Sequence, residues 1–145
     1  MKKTTIAAMG VLALLWLMSG CANRATATLT PGEDLSHVKT FYIVTLPGDG
    51  HGIDKLIHDR LVKMGYSAEV GAEKSPPYTA DAVVTYKDKW VWDMTMYMLE
   101  LTINLRNPIN NFPMATGNSF HTSLTRKSPE DMVDEVLDNI FKKIH

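Results

Sequence analysis

Between Met96 and Leu105 the chain alternates. Tyr97, Leu99, Leu101, Ile103 and Leu105 are apolar, and Glu100, Thr102, Asn104 and Arg106 occupy the intervening and following positions. A period of two sends successive side chains to opposite sides of an extended backbone, so this segment reads as a strand with a buried odd-numbered face and a wet even-numbered one. Sheets with one wet face are antiparallel as a rule, because parallel sheets are covered on both sides. The chain must therefore supply a second apolar layer to cover the odd-numbered face.

Two segments can provide that layer. Ile53, Leu56, Ile57, Leu61 and Met64 recur at helical spacing among Asp54, Lys55, Asp59 and Lys63, and Gly65 follows as a C-terminal stop. Near the C-terminus, Ser128-Pro129-Glu130-Asp131 combines a capping hydroxyl, a proline at the first helical position and acids in the first turn. Met132, Val133, Val136, Leu137, Ile140, Phe141 and Ile144 continue as an apolar stripe. Further strands are expected at Lys39 to Leu46, at Tyr66 to Val70, from Ala80 to Tyr86, which leads into Lys89 to Asp93, and more weakly from Met114 to Leu124. The expected fold is α+β: a largely antiparallel sheet of four to five strands with two helices packed on one face. The other face, with Glu100, Thr102 and Asn104, stays comparatively bare.

The N-terminus has a different character. Lys2 and Lys3 precede an apolar run from Ile6 to Met18, which is short of the roughly 20 residues a membrane-spanning helix needs. The run ends in Ser19-Gly20-Cys21, the layout of an export signal cut between Gly20 and Cys21. Leu17-Met18-Ser19-Gly20-Cys21 resembles the lipobox of bacterial lipoproteins, and that resemblance implies that Cys21 is lipidated and becomes the mature N-terminus. Met18 departs mildly from the leucine usual at its position. Cys21 is the sole cysteine, so the exported chain forms no internal disulfide. Ala22 follows where an aspartate would resemble an inner-membrane retention signal, and the implied address is the outer membrane, on its periplasmic face.

The domain plan is then a signal peptide over residues 1–20, a lipidated and flexible tether over 21–33, and a single periplasmic domain over 34–145. Ala22 to Pro31 is mostly Ala, Thr and Asn and reads as tether. Loss of Lys2 and Lys3 leaves 13 basic against 16 acidic side chains, a net charge near −3. That balance does not favour nucleic acid, which calls for a concentrated basic face. Lipid, not a polybasic patch, is expected to hold the protein to the membrane.

Trp90-Val91-Trp92-Asp93, with Tyr97 shortly after, is the most distinctive segment. Two indoles two residues apart share one side of an extended chain. Either Trp90 and Trp92 form an exposed platform for a partner, with Asp93 and Tyr97 at its edge, or they fill a corner of the sheet while Asp93 caps the turn.

Other candidate chemistry is thin. His51, Asp54 and His58 approach metal-ligand spacing without HExxH or a cysteine, and an Asp54 to His58 pair on a solvated helix face is the plainer reading. Gly48-Asp49-Gly50-His51-Gly52 precedes a helix but lacks the lysine of a P-loop, so it reads as a flexible turn. His121 stands alone on a weak strand, and Ser119, Thr122 and Ser123 lack a nucleophile elbow. No cofactor, metal or catalytic set is expected.

Asp34-Leu35 with Thr40-Phe41-Tyr42, Gly65-Tyr66, Ala80 to Val84, Trp90 to Met94 with Tyr97, and Ser128 to Phe141 together resemble small uncharacterised proteobacterial outer-membrane lipoproteins. The resemblance implies a location and a fold. The functional expectation is a non-catalytic, lipid-anchored binding or assembly module of the cell envelope, partnered by the membrane and by an envelope protein. The alternatives are a small-ligand carrier or hydrolase using the 47–52 turn and Asp93, or a passive structural lipoprotein.

Overall fold

A computed structural model describes residues 23–144. The expected signal peptide, with its cut between Gly20 and Cys21, lies outside them. The described residues form an α+β domain with strands β1 (Arg24–Leu29), β2 (Thr40–Val44), β3 (Ser67–Gly71), β4 (Ala82–Asp93), β5 (Thr95–Arg106) and β6 (Pro113–Phe120), and helices α1 (Ile53–Lys63) and α2 (Pro129–Lys142). The strands make one sheet in the order β1-β6-β5-β4-β2-β3.

The α+β fold with two helices is as expected, and the sheet differs from the expected largely antiparallel one of four to five strands in two details, each with a local cause. First, β2 runs parallel to both β3 and β4. The chain leaves β2, turns back along α1 and re-enters the sheet at β3, and such a crossover returns the second strand in the direction of the first. Second, the segment read as tether supplies the edge strand β1, which pairs along its whole length with β6, from Arg24 opposite Phe120 to Leu29 opposite Ala115. Its stability comes from backbone pairing, since most of its side chains stay exposed. Thr26 and Thr28 were the one strand-favouring signal in that segment.

Both helices sit on the same face. Ile53, Ile57 and Leu61 of α1 and Met132, Val133, Val136, Leu137, Ile140 and Phe141 of α2 share a core with Phe41, Ile43, Val84, Tyr86, Leu101, Ile103 and Leu105 of the sheet. Each such side chain contributes about 1.5–3 kcal/mol on leaving water. The local stops behave as the sequence predicts. The Gly65 N–H donates to Val62 O and the Tyr66 N–H to Leu61 O, the paired closure that ends a helix at a left-handed glycine, here with φ +94°. Ser128 Oγ accepts from the Asp131 N–H at 3.1 Å and opens α2. Gly117 lets α2 approach β6, for a Cβ there would lie 2.6 Å from Val136 Cγ1.

On the opposite face, the segment after β3 covers one half of the sheet. Tyr78 packs on Tyr42 with ring centroids 5.2 Å apart, and the Tyr42 hydroxyl donates to Ala72 O at 2.8 Å. The β5–β6 half keeps a polar surface, where Asn118 donates to Glu100 and Thr102 and Thr116 donates to Asn104.

The expected odd-numbered face of β5 holds for Leu101, Ile103 and Leu105 and then inverts. Lys89 pairs with Glu100 but Trp90 pairs with Met98, so Leu99 has no partner on β4. One extra residue reverses the alternation. Met98 is consequently buried in the core, while Leu99 and Tyr97 are only half-buried.

Candidate binding surface

Beyond the Leu99 bulge, β4 and β5 continue as a two-stranded arm. The pairing of β6 with β5 ends at Phe120 opposite Glu100, and β2 follows β4 only as far as Val84. Residues 90–98 therefore pair with each other alone. The turn is tight: Asp93 faces Thr95 across a single residue, Met94, whose φ is 59°.

The arm separates the two tryptophans, so neither of the paired readings applies to both. Trp90 is half-buried against the core, its ring stacks on His51 at a centroid distance of 3.8 Å, and its Nε1 donates to Asp88 Oδ2 at 2.6 Å. Trp92, opposite Met96, is 72% exposed. Met94 at 88% and Met96 at 54% complete an apolar tip. Asp93 and Tyr97 are engaged within the molecule. Arg126 donates to the Asp93 carbonyl and to Thr95 Oγ1, both at 2.6 Å, lies 3.4 Å from the Asp93 carboxylate, and stacks 4.2 Å above the Tyr97 ring. Arg126 ends the 3-10 turn Ser123–Thr125, which carries Leu124 at 81% exposure.

The glycine-rich turn is an ordered structure. Asp49 accepts from the N–H groups of His51, Gly52 and Ile53 and from the Tyr86 hydroxyl, the last at 2.6 Å. A carboxylate of the protein's own thus occupies the place at the start of α1 that a phosphate would take. Burial disfavours the Asp49 charge, but Tyr86 and the backbone donors outweigh it and hold the carboxyl below its ordinary range. Burial, then the bond to Asp49, pushes the Tyr86 hydroxyl well up. Beside this turn lies an open cavity of about 610 Å³, lined by Leu46, Pro47, Asp49, Ala72, Glu73 and Thr85 among others. Asp93, paired with Arg126, does not line it.

The expected Asp54 to His58 pair does not form. Asp54 accepts from Thr45 Oγ1 at 2.8 Å, and His58 Nδ1 meets Asp59 at 2.8 Å instead. His51 is stacked on Trp90, so the three potential ligands have separate partners. Among the described residues no group of His, Cys, Asp or Glu is arranged to hold a metal ion, and no helix is long and apolar enough to cross a membrane.

His121 is not alone. It is buried, and its Nε2 meets Glu135 Oε2 at 2.8 Å; Ser119 Oγ donates to the same oxygen at 2.6 Å, and Lys127 Nζ to Oε1 at 2.7 Å. Burial opposes the Glu135 charge, yet Lys127, Ser119 and His121 together bring its carboxyl down to about 2. Serine and histidine converge on one carboxylate without bonding each other, which ties α2 to the end of β6 and is not the relay a nucleophilic serine needs. Sequence reasoning missed this cluster because its members lie 16, 14 and 8 residues from Glu135 and no spacing rule joins them.

The sequence matches no protein-family description and no curated protein. Among solved structures the chain is similar to PelC from Paraburkholderia phytofirmans. One dodecameric variant shows a TM-score of 0.58 at 13% identity over 82% of this chain and 98% of PelC, and another dodecamer structure shows 0.55 at 14% over 81% and 98%. A PDZ domain protein from Parabacteroides distasonis gives 0.50 at 11% identity, covering 83% of this chain and 36% of that one. At these identities the likeness is one of fold: this arrangement of helices on a mixed sheet recurs in proteins that share little sequence with the chain.

Proposed function

We propose that the protein is a lipid-anchored periplasmic lipoprotein of the outer membrane, acting as a non-catalytic binding or assembly module of the cell envelope. The observation that carries the assembly part is the uncovered β5–β6 face, where Glu100, Thr102, Asn104, Thr116 and Asn118 hold one another by hydrogen bonds on a rigid sheet. Polar groups fixed in this way offer a preorganised surface to a partner at little ordering cost. PelC, of similar fold, is a dodecamer, which supports copies of the same chain as the first partners to look for. The lipobox-like Leu17 to Cys21 supports the anchor, and Arg24–Leu29 supports a domain built almost directly onto it.

Two experiments test this. A Cys21→Ser change should abolish lipid labelling and leave the protein unprocessed; unchanged processing with no loss of lipid label would overturn the anchor. Crosslinking in intact envelopes should yield higher-order adducts or an envelope partner, and recovery of monomer alone would overturn the assembly role. The cavity beside Asp49 favours a second reading, a small-ligand carrier. Native mass spectrometry of the protein from its own envelope would show a bound small molecule if that reading holds.

A further inference from the structure

The anchor and the arm lie at the same end of the domain. Arg24, at the start of β1, pairs with Phe120, and Phe120 pairs with Glu100, the residue from which the arm springs. Asn23 accepts a hydrogen bond from Thr125, next to the Arg126 that clamps the arm. The chain thus enters the domain at the root of the arm, and β1 runs from there away from the arm's tip, from the level of Glu100 to that of Leu105.

The lengths are unequal in an informative way. From Cys21 to Asn23 the chain spans at most about 7 Å. The arm extends from Lys89 and Glu100 to Met94, five residues, or about 16 Å at the rise of a strand. A lipid carried on Cys21 is therefore on a leash shorter than the arm beside it. With that lipid in the bilayer, the arm meets the membrane before the body of the domain does.

The chemistry of the tip suits that position. Trp92, Met94 and Met96 stand in water in the isolated domain, and Leu124 projects from the neighbouring turn. Met94 occupies the left-handed region where glycine or asparagine would be less strained, so the tip carries a large apolar side chain at a conformational cost of about 1 kcal/mol. Tryptophan favours the level of the lipid headgroups, where its ring is apolar and its N–H stays wet. The charged group nearest the tip, Asp93, is neutralised by Arg126.

We infer that the β4–β5 arm is a membrane-docking element: Trp92, Met94 and Met96 insert at the bilayer interface and give the protein a second membrane contact beside the lipid. The inference rests on the lipoprotein reading for its geometry. It orients the domain, placing the arm and the start of β1 against the bilayer and leaving the β5–β6 face standing beside it.

The test uses the full-length protein with Trp16→Phe and Trp90→Phe, so that Trp92 is the only indole whatever the processing. It is purified in its cellular form, its lipidation read from intact mass, and reconstituted with vesicles of phosphatidylethanolamine and phosphatidylglycerol brominated on their acyl chains. The expected result is a blue-shifted emission that loses about half or more of its intensity to the bromines and resists aqueous iodide. A companion carrying Trp16→Phe and Trp92→Phe keeps Trp90 as an internal control, which should ignore the bromines. Trp92 emission quenched by iodide and untouched by bromine would overturn the inference even in a protein whose mass shows the lipid. Emission protected from both quenchers would overturn it in favour of a protein partner on the arm. If the mass shows no lipid, the anchor reading falls by itself, and the bromine result still scores the arm.

Discussion

The two sides of the Leu99 bulge hold the same two strands in opposite surroundings. On the body side, Tyr86 and Val84 of β4 lie opposite Ile103 and Leu105 of β5 beneath two helices, and all four are buried. On the arm side, Trp92 and Met96 form the equivalent cross-strand pair with nothing above them, and both are exposed. Pairing is continuous through the bulge, so the difference is in covering layers and not in backbone structure. Apolar residues in the body are accounted for by folding. Those at the tip are not, and they mark a surface with another use.

Substitutions should sort along this divide. Ile103→Ala, in the fully buried body, is expected to cost about 2–5 kcal/mol in a denaturant titration. A change below 1 kcal/mol would mean that the body is not the cooperative unit.

Glu135→Gln comes next. With a folded pKa of about 2 against an ordinary 4.5, Glu135 contributes its stability in full above pH 4.5 and loses it as the pH falls from there towards 2. The contribution has an upper bound of about 3 kcal/mol. Acid titrations of stability should therefore fall less steeply in the glutamine variant than in the parent. Equal slopes would remove the Lys127, Ser119 and His121 cluster from the account.

Arg126→Ala should cost about 0.5–1 kcal/mol globally, because the guanidinium is partly solvated, yet it should release the arm. Faster amide exchange confined to residues 91–97 would show this; uniform loosening would place Arg126 in the body instead. Trp92→Ala should change stability by no more than about 0.5 kcal/mol, the mark of a residue kept for something other than folding.

Much of the body was legible in the sequence. Both helices announced themselves through apolar spacing and through Gly65 and Ser128, which act as those residue types should. Among the six strands of the described residues, β2, β4 and β5 carried clear apolar or alternating runs, and β3 and β6 carried weaker ones. β1 was not legible because Ala and Thr bury little, and its order derives from a partner strand some 90 residues away, opposite Phe120. The parallel pairing of β2 was implicit in a strand, helix, strand order that was read without its topological consequence.

The site was legible in part. Trp90 to Tyr97 was recognisable as unusual, but period two places Trp90 and Trp92 on one face and cannot tell where the covering layer ends. That boundary depends on α1, His51 and the bulge together. The bulge itself had no signal, since Met98 and Leu99 are equally apolar and either could have faced the core. Glu135 sits in a helix whose sequence gives no sign that it faces Ser119 and His121.

The contrast between body and arm, and the orientation drawn from it, meet most directly in hydrogen exchange of the lipidated protein, compared between detergent and vesicles. Slower exchange on vesicles is expected over residues 90–98, with no change over β2, α1 or α2. Equal exchange of the arm in both states, or slowing over the Thr102 and Asn118 face in its place, would contradict it.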